Sequence, residues 1–291
     1  MGFAGFLMVG LGVIQAQGLP EPPTMARRAI SARASLPGTS IEVEDGDRKY
    51  TLFIPSAAKP SSEVVLTIHF HSAIWHALQE HVDRGVTGPV IAFYPGEGSS
   101  IYAQSFQDPE RLKRWMDRTL AELKLRGWPN DSRISAIDVT SFSAGYGAVR
   151  ELVKSPSALA LLRRVVLADS MYGSLMVGIE TRTPLVEHVL VWKPLAEAAM
   201  KGEKTFAITF SQVPTPSYAS SSEMASALVE ALGEKFVAVS FPNETDYPLL
   251  KRFDKGRFHV WGYIGEDGQA HMTHARHLAD IWKALDKAGA P

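Results

Sequence analysis

The chain has 291 residues, of which 45% are hydrophobic and 21% charged, so it is long enough to bury a large core within one domain. Its formal net charge is −1 and it has no basic run, which argues against nucleic acid as a partner; the arginine pairs at residues 27–28 and 163–164 are expected to be solvated. The chain contains no cysteine, so a disulfide framework is excluded.

The first 40 residues differ in composition from the rest of the chain. Residues 1–17 are apolar and reach the small residue Ala16 at a position suited to cleavage, which is typical of a secretory signal, although the usual basic residue near the start is missing. This run is short for a membrane span, and a buried helix is the alternative. Residues 18–40, rich in Pro, Ser and Ala, predict a flexible linker. We therefore expect a secreted or periplasmic protein whose catalytic domain occupies residues 41–291, with no membrane span in its mature form.

Strands and helices are predicted to alternate from residue 41 onward. Residues 41–55 are typical of an antiparallel hairpin around Asp45, Gly46 and Asp47. The apolar run at residues 64–70 is rich in β-branched residues, as in a strand buried within a parallel sheet. Further strands are predicted at residues 90–94, 135–142, 164–168, 205–210, 236–241 and 258–264, and helices at residues 109–126 with Asp108 as N-cap, 185–200, 223–232 and 272–285. This alternation predicts an α/β fold with a mostly parallel sheet and helices on both faces.

A tight turn follows the strand predicted at residues 135–142. The sequence at this turn is Ser141-Phe142-Ser143-Ala144-Gly145. Where a strand turns directly into a helix, small residues are needed, because the central residue has a strained backbone and the helix passes close to the strand. The pattern predicts a nucleophile elbow with Ser143 at its tip. For these five residues alone, a simple Ser/Gly-rich link between a strand and a helix is the alternative.

The elbow, together with the strand that ends in His71-Ser72, resembles the α/β-hydrolase family. In that family the nucleophile motif is Gly-x-Ser-x-Gly and the earlier strand ends in His-Gly, so Ser141 and Ser72 stand here in place of two glycines. The family order of catalytic residues, a serine, then an acid, then a histidine, is matched as well. The resemblance covers most of residues 41–286 and implies the α/β-hydrolase fold and a serine hydrolase in which Ser143 is the nucleophile.

The same resemblance points to an acid and a base. It places the acid at the carboxyl end of the strand after the elbow helix or of the next strand; Asp169 ends the first, and no acid follows the second until Glu223. Asp169 is therefore expected to orient and stabilise an imidazole, the alternative being a simple turn cap. Of the histidines after the last strand, His271 lies nearest to its end and is the expected base. His274 is the alternative, and His277 is expected to be packed or solvated.

The implied chemistry is acyl transfer, with no cofactor. The oxyanion is expected to be held by the backbone N–H of Ala144 and by that of Ser72 or Ala73. Substrate contacts are expected from three residues in segments that follow strands, namely His71, Tyr102 and Tyr172. A carboxylic ester, including an acylated carbohydrate, is the expected substrate, while a peptide or other amide stays open.

Two alternatives belong to other classes of protein. His69 and His71 share one face of a strand, and His271 and His274 share one face of a helix, so these side chains with Asp169 could bind a catalytic metal. Against this, neither an Asp-His pair after the His-x-His nor a His-Glu-x-x-His motif is present, and His69 is expected to be a buried histidine bonded to backbone. A non-catalytic binding protein of the same fold is the second alternative.

Overall fold

The structure is a computed structural model that describes residues 18–178, 180–240 and 244–288. The predicted signal segment, residues 1–17, lies outside the described residues, as does Phe241 at the end of one predicted strand. The strands are β1 (Gly38–Asp45), β2 (Arg48–Pro55), β3 (Glu63–Phe70), β4 (Val90–Phe93), β5 (Arg133–Phe142), β6 (Leu162–Ala168), β7 (Thr205–Phe210), β8 (Val237–Ala238), β9 (Leu249–Lys255) and β10 (Phe258–Tyr263).

These strands form one sheet in the order β1-β2-β4-β3-β5-β6-β7-β10-β9-β8. The pairs from β4 through β3, β5, β6 and β7 to β10 are all parallel. The pairs at both ends of the sheet, β1–β2, β2–β4, β10–β9 and β9–β8, are antiparallel. The predicted hairpin at residues 41–55 is therefore confirmed as β1 and β2, and so is the mostly parallel central sheet.

Helices cover both faces of this sheet. They are α1 (Ile74–Asp83), α2 (Ser99–Phe106), α3 (Arg111–Lys124), α4 (Tyr146–Lys154), α5 (Pro156–Leu161), α6 (Val186–Leu190), α7 (Lys193–Met200), α8 (Ser221–Ala231), α9 (Gly268–Arg276) and α10 (Leu278–Lys287). Alternate residues of β6 belong to different cores: Val165 and Leu167 join the larger cluster, whereas Val166 and Ala168 join the cluster that contains Trp282 of α10. Successive side chains of a strand point to opposite faces, so the two clusters lie on opposite sides of the sheet.

Several element boundaries differ from the sequence-based predictions. Residues 185–200 form two helices, α6 and α7, because Pro194 can occupy the first turn of a helix but not its interior. The closing helix is divided into α9 and α10 at His277, whose side chain bonds to Asp280 and to the carbonyl of Ala26. Helix α3 begins at Arg111, so Asp108 is not its N-cap. Strand β9 was not predicted, because its charged side chains do not alternate as in a buried strand.

The segment predicted as a flexible linker packs on the domain. Met25 is fully buried and forms a β-bridge with Tyr247, and Tyr263 donates a hydrogen bond from its hydroxyl to the carbonyl of Pro23 at 2.9 Å. Arg28 pairs with Glu80 of α1. Residues 38–40 already belong to β1. The expected flexibility of residues 18–40 is therefore wrong for this structure, because one apolar side chain and several polar groups find partners on the domain.

No helix among the described residues has the length and apolar character that a membrane crossing requires.

Candidate active site

Three residues with unusual backbone conformations lie at one edge of the sheet. In the described part of the chain, the non-glycine residues with positive φ are His71 at 64°, Ser143 at 48° and Asp169 at 44°. Each directly follows the last residue of a strand, β3, β5 or β6, and these three parallel strands are neighbours. Positive φ costs a non-glycine residue on the order of 1–3 kcal/mol and concentrates at functional sites. The edge formed by the carboxyl ends of β3, β5 and β6 is therefore the candidate site.

The turn at Ser143 has the geometry that its small residues predict. Ser143 begins a single 3-10 turn between β5 and α4. A Cβ atom on Gly145 would lie 2.4 Å from the carbonyl oxygen of Phe70, and one on Gly147 would lie 2.2 Å from that of Ser99. Both glycines are therefore required by the close approach of neighbouring backbone rather than by their own φ values.

Ser141, which stands where the family motif has glycine, is accommodated by a hydrogen bond of its side chain. Its side chain is fully buried, and its hydroxyl shares a hydrogen bond with that of Ser170. Ser170 in turn donates to the backbone carbonyl of Ser143 at 2.8 Å. The Ser141 hydroxyl thus has a partner next to the elbow, and the substitution leaves no buried polar group unsatisfied.

His271 and Asp169 form a buried hydrogen-bonded pair. The Nδ1 atom of His271 lies 2.8 Å from Oδ2 of Asp169, which also accepts a hydrogen bond from the hydroxyl of Ser211. Burial by itself raises the pKa of Asp169, but the hydrogen bond from His271, the nearby His274 and the Ser211 hydroxyl outweigh it, so this pKa lies below its ordinary value. Asp169 is therefore a carboxylate at neutral pH, and it holds the Nδ1–H tautomer of His271.

His271 also lies next to the elbow. Its ring stacks on that of Phe142, with centroids 4.5 Å apart and planes 26° apart, and Phe142 directly precedes Ser143. With Nδ1 bonded to Asp169, the other ring nitrogen, Nε2, carries the lone pair. Within the described residues, neither this nitrogen nor the Ser143 hydroxyl has a hydrogen-bond partner. Such bonds are often long in a site without substrate.

The other histidines have different partners. His274 is buried, and its Nδ1 lies 2.8 Å from the hydroxyl of Thr209 rather than on Asp169. His69 is buried between His81 and the Ser72 hydroxyl, and it also approaches the carbonyl of His71 at 3.3 Å. Across the described ranges, no cluster of three or more His, Cys, Asp or Glu side chains could hold a metal ion. The donor set of the metal alternative is therefore not assembled.

The backbone groups proposed for the oxyanion hole are free of partners. In the part of the chain that the structure describes, the N–H groups of Ser72, Ala73 and Ala144 donate to no acceptor. Ala144 follows Ser143, while Ser72 and Ala73 connect β3 to the start of α1. The side chain of Ser72 is fixed by its bond to His69, 2.9 Å long.

His71 and Tyr102 form a pair at the end of β3. The Tyr102 hydroxyl donates to the carbonyl of Gly96 at 3.1 Å and lies 2.9 Å from Nδ1 of His71, so it accepts a hydrogen bond from that nitrogen. Tyr102 is fully buried, so it supports His71 instead of facing the substrate as expected. The second nitrogen of His71, Nε2, lies 3.9 Å from the exposed carboxylate of Glu97.

Tyr172 lies in a row of aromatic rings after β6. Its ring centroid is 5.6 Å from that of Tyr146 and 5.7 Å from that of Tyr218, whose side chain is 44% exposed. Tyr172 and Tyr218 follow the carboxyl ends of β6 and β7, which is the edge where Ser143 lies.

Ser170 and Ser211 are site residues that sequence reasoning missed. Both are polar residues just after a buried strand, Ser170 beyond β6 and Ser211 beyond β7. That position was the available signal. Their partners, Ser143 and Asp169, became visible only once the order of the strands was known.

The sheet order and the strand-to-helix turn at Ser143 are those of the α/β-hydrolase fold, and this is the class that the structure defines. Helices on both faces and the antiparallel hairpin β1–β2 agree with it.

Comparisons with solved structures found esterases. A mutant of the feruloyl esterase module from Clostridium thermocellum, complexed with sinapinate, is 12% identical and aligns over 91% of this chain and 95% of that one, with a TM-score of 0.48. A mutant of esterase rPPE is 13% identical over 91% and 84% of the two chains, with a TM-score of 0.46. The esterase Pf2001 from Pyrococcus furiosus is 11% identical over 92% and 99%, with a TM-score of 0.45. No protein-family model and no curated protein sequence matches this chain.

Proposed function

We propose that this protein is a serine hydrolase that cleaves a carboxylic ester by acyl transfer through Ser143, His271 and Asp169. The observation that carries this proposal is the Asp169–His271 pair, because it orients an imidazole beside a serine in a strained strand-to-helix turn. A serine that merely linked a strand to a helix would need neither the positive φ nor an oriented base. Ser143 follows β5, Asp169 follows β6 and His271 lies in α9, so the fold brings together residues from three different elements.

The proposed reaction has two stages. His271 Nε2 takes the proton of the Ser143 hydroxyl as the oxygen attacks the carbonyl carbon, and it then gives that proton to the leaving alcohol. Water repeats these steps on the acyl-enzyme. Asp169 stabilises the imidazolium that forms each time, and its lowered pKa keeps it charged for that role. The mechanism requires His271 Nε2 and the Ser143 hydroxyl to come into hydrogen-bond contact when substrate binds, as catalytic hydrogen bonds often do only in the complex.

The developing oxyanion is proposed to bind the N–H groups of Ala144 and of Ser72 or Ala73. Among the described residues these N–H groups have no intramolecular acceptor, which supports this role; the support is stronger for the half-buried Ser72 and Ala144 than for the exposed Ala73, since shielded donors without partners are uncommon. His71, whose backbone has φ of 64°, sets the direction of the chain just before these donors.

We propose an ester as the substrate, and the surroundings of the site indicate what its acyl or alcohol part contains. The rings of Tyr172 and Tyr218, together with the half-exposed Trp75 and Tyr94, follow the carboxyl ends of β6, β7, β3 and β4. Aromatic faces of this kind suit a sugar ring or a planar acyl group. A panel of p-nitrophenyl esters, an acetylated sugar, an aryl ester and a p-nitroanilide would test the choice, and turnover of the anilide alone would reject it.

Labelling with a fluorophosphonate tests the serine mechanism directly. Intact-mass spectrometry should show one adduct on the parent chain and none on Ser143→Ala. Ser174→Ala is the matched control, because Ser174 is an exposed serine on the same edge of the sheet, and it should label like the parent. A folded parent that forms no adduct would contradict the proposal and favour a non-catalytic binding protein of this fold.

A further inference from the structure

A polar cavity lies toward the amino end of the parallel strands, opposite the candidate active site. It has a volume of about 270 Å³, and its polar walls are formed by Thr67, Arg84, Asp138, Arg163, Arg164 and Asp286. Thr67, Asp138 and Arg164 are register partners on β3, β5 and β6. Asp138 precedes Ser143 by five residues of strand, so the cavity lies about 16 Å from the candidate active site.

Two of the three arginines that line this cavity are neutralised by its two carboxylates, and we refer to these five side chains as the cluster. Arg163 binds both carboxylate oxygens of Asp138, at 2.9 and 2.8 Å. Arg164 donates twice to Asp138, at 2.8 and 3.1 Å, and bonds to Asp286 as well. The pair at residues 163–164 is therefore not simply solvated, as the sequence suggested. Two guanidinium groups and two carboxylates balance each other here.

Arg84 is the third arginine, and it has no carboxylate of its own. Among the described residues, no acidic oxygen lies within the 4.0 Å of an ion pair with Arg84. Its Nη2 donates to the hydroxyl of Thr67 at 2.9 Å, and its guanidinium lies 4.0 Å from the ring centroid of Trp282. Its Nε is buried without a partner. The cluster thus carries one positive charge more than it neutralises.

The guanidinium of Arg84 stays charged in this position. Burial lowers its pKa to about 10, helped by Arg164 and Arg163 and opposed by Asp138 and Asp286, and this value is still well above neutral. A positive charge that is partly shielded from water and has no counter-ion is costly, and proteins normally pair such a charge. The adjoining cavity is the space in which a counter-ion can approach Arg84.

We infer that this cavity is a binding site for a small oxyanion, held by Arg84 and the Thr67 hydroxyl. Two N–H groups of a guanidinium can bind two oxygens of a phosphate or carboxylate at once. A halide is a single atom and cannot be bound in this bidentate way. The volume is sufficient for an inorganic phosphate or a short carboxylate with a few waters. Because the cavity is remote from Ser143, the ion acts on stability and is no competitor of the ester.

Ligand-dependent melting tests the site on the full chain. Inorganic phosphate, acetate and chloride are compared at constant ionic strength, with isothermal titration calorimetry of each anion alongside. At ten times its dissociation constant, phosphate or acetate should raise Tm by about 3 °C, and chloride should not. If phosphate binds more tightly, the site prefers a tetrahedral oxyanion; if acetate binds more tightly, it prefers a planar carboxylate.

Variants of Arg84 locate the effect. Arg84→Met should abolish both the shift and the calorimetric signal, and Arg84→Lys should weaken them because its ammonium lacks the fork. Arg118→Met is the control, since Arg118 is 54% exposed on α3, and it should behave like the parent. Any of three results would overturn the inference. Chloride could raise Tm as much as the oxyanions do, the parent could bind no oxyanion, or a folded Arg84→Lys variant could give an undiminished calorimetric signal. Ester turnover should not change with phosphate, and loss of turnover alone would instead indicate binding at Ser143.

Discussion

The two ends of the parallel strands contain polar side chains of opposite character. At the carboxyl end, His71, Ser143 and Asp169 have positive φ, and the Ser143 hydroxyl has no hydrogen-bond partner among the residues that the structure describes. Toward the amino end, Asp138 accepts four hydrogen bonds of 2.8–3.1 Å from Arg163 and Arg164, all from ordinary strand backbone. The carboxyl end holds strained residues and free donors, whereas at the amino end Asp138 is fully paired with Arg163 and Arg164, and Arg84 alone among the described residues of the cluster is left over.

This difference shows how one sheet serves two purposes. The satisfied pairs add stability and fix the register of β5 against β6, while the strained residues lower stability and, in the proposed function, leave groups free for a substrate. The carboxyl ends of parallel strands are also where ligands bind in open α/β sheets. The following predictions test whether the two ends are separable, since function should depend on one and stability on the other.

The largest effect is expected from Asp169→Asn at the carboxyl end. An amide can stabilise the wrong tautomer of His271 and cannot stabilise an imidazolium, so kcat should fall by about 10⁴-fold with little change in KM. Steady-state kinetics on a p-nitrophenyl ester measures this. Asp131→Asn, in an exposed turn, is the control and should retain full activity. A loss below tenfold in a folded variant would show that Asp169 is only a turn cap.

Asp138→Asn should have its effect on stability. Asp138 is 1% exposed, and its loss leaves two guanidinium groups without their shared carboxylate, so the free energy of unfolding should fall by about 3–5 kcal/mol. Urea denaturation measures the change. Asp286→Asn, whose carboxylate is 40% exposed, should cost much less. The two ends of the strands would not be independent if the folded Asp138→Asn variant also lost most of its kcat/KM.

The pH dependence of stability should reveal the buried His274. Burial lowers its pKa to about 4 from the ordinary histidine value of 6.5. Between these two values the unfolded chain binds a proton that the folded chain does not, so the free energy of unfolding should fall as pH decreases through this range, by about 3 kcal/mol in total. His69, with a pKa lowered to about 3 mainly by burial, acts in the same direction.

Urea unfolding at pH 7 and pH 4.5 measures this slope. His274→Asn should lose part of the pH dependence whatever its effect on stability at pH 7, because the titrating group is gone. An unchanged slope would mean that His274 is protonated in the folded protein as readily as in the unfolded chain. The side chain of His274 would then be more accessible to water, next to Asp169, than the structure shows.

The smallest effect is expected at the N-terminal segment that crosses near α9. Arg27 bonds to Tyr247 and to Asp267, the N-cap residue of the helix that carries His271, but both ends of the Arg27–Asp267 pair are more than half exposed. Exposed pairs of this kind contribute little, so Arg27→Ala should leave the urea midpoint and kcat/KM unchanged within error. A clear fall in kcat would instead make this segment part of the positioning of His271.

Much of the site could be read from the sequence because it depends on local pattern. Ser143 was visible through the small residues around it, and Asp169 through its position after a buried strand. Position near a strand end also favoured His271 over His274, and the structure places His271 on Asp169. Their catalytic roles stay predictions.

Other features depended on contacts between distant segments. The partner of the Ser211 hydroxyl follows from β7 lying beside β6, and the pairing of Asp138 with Arg163 and Arg164 follows from the register of β5 and β6. Nothing in the local pattern distinguishes a solvated arginine pair from a buried one. Strand β9 was missed for a related reason, since pairing with β10 and not its own composition makes it a strand.

By itself, then, the sequence determined the alternation of elements and the elbow, since hydrophobic periodicity and the space required around Gly145 act within a few residues. Tertiary structure decided the rest. It brought His271 rather than His274 to Asp169, and it placed the Tyr102 hydroxyl against His71. It also packed the N-terminal segment on the domain and placed Arg84 beside a cavity, without a carboxylate partner among the described residues. These outcomes depend on distances between residues far apart in the chain, and such distances are set only when the whole sheet and its helices pack together.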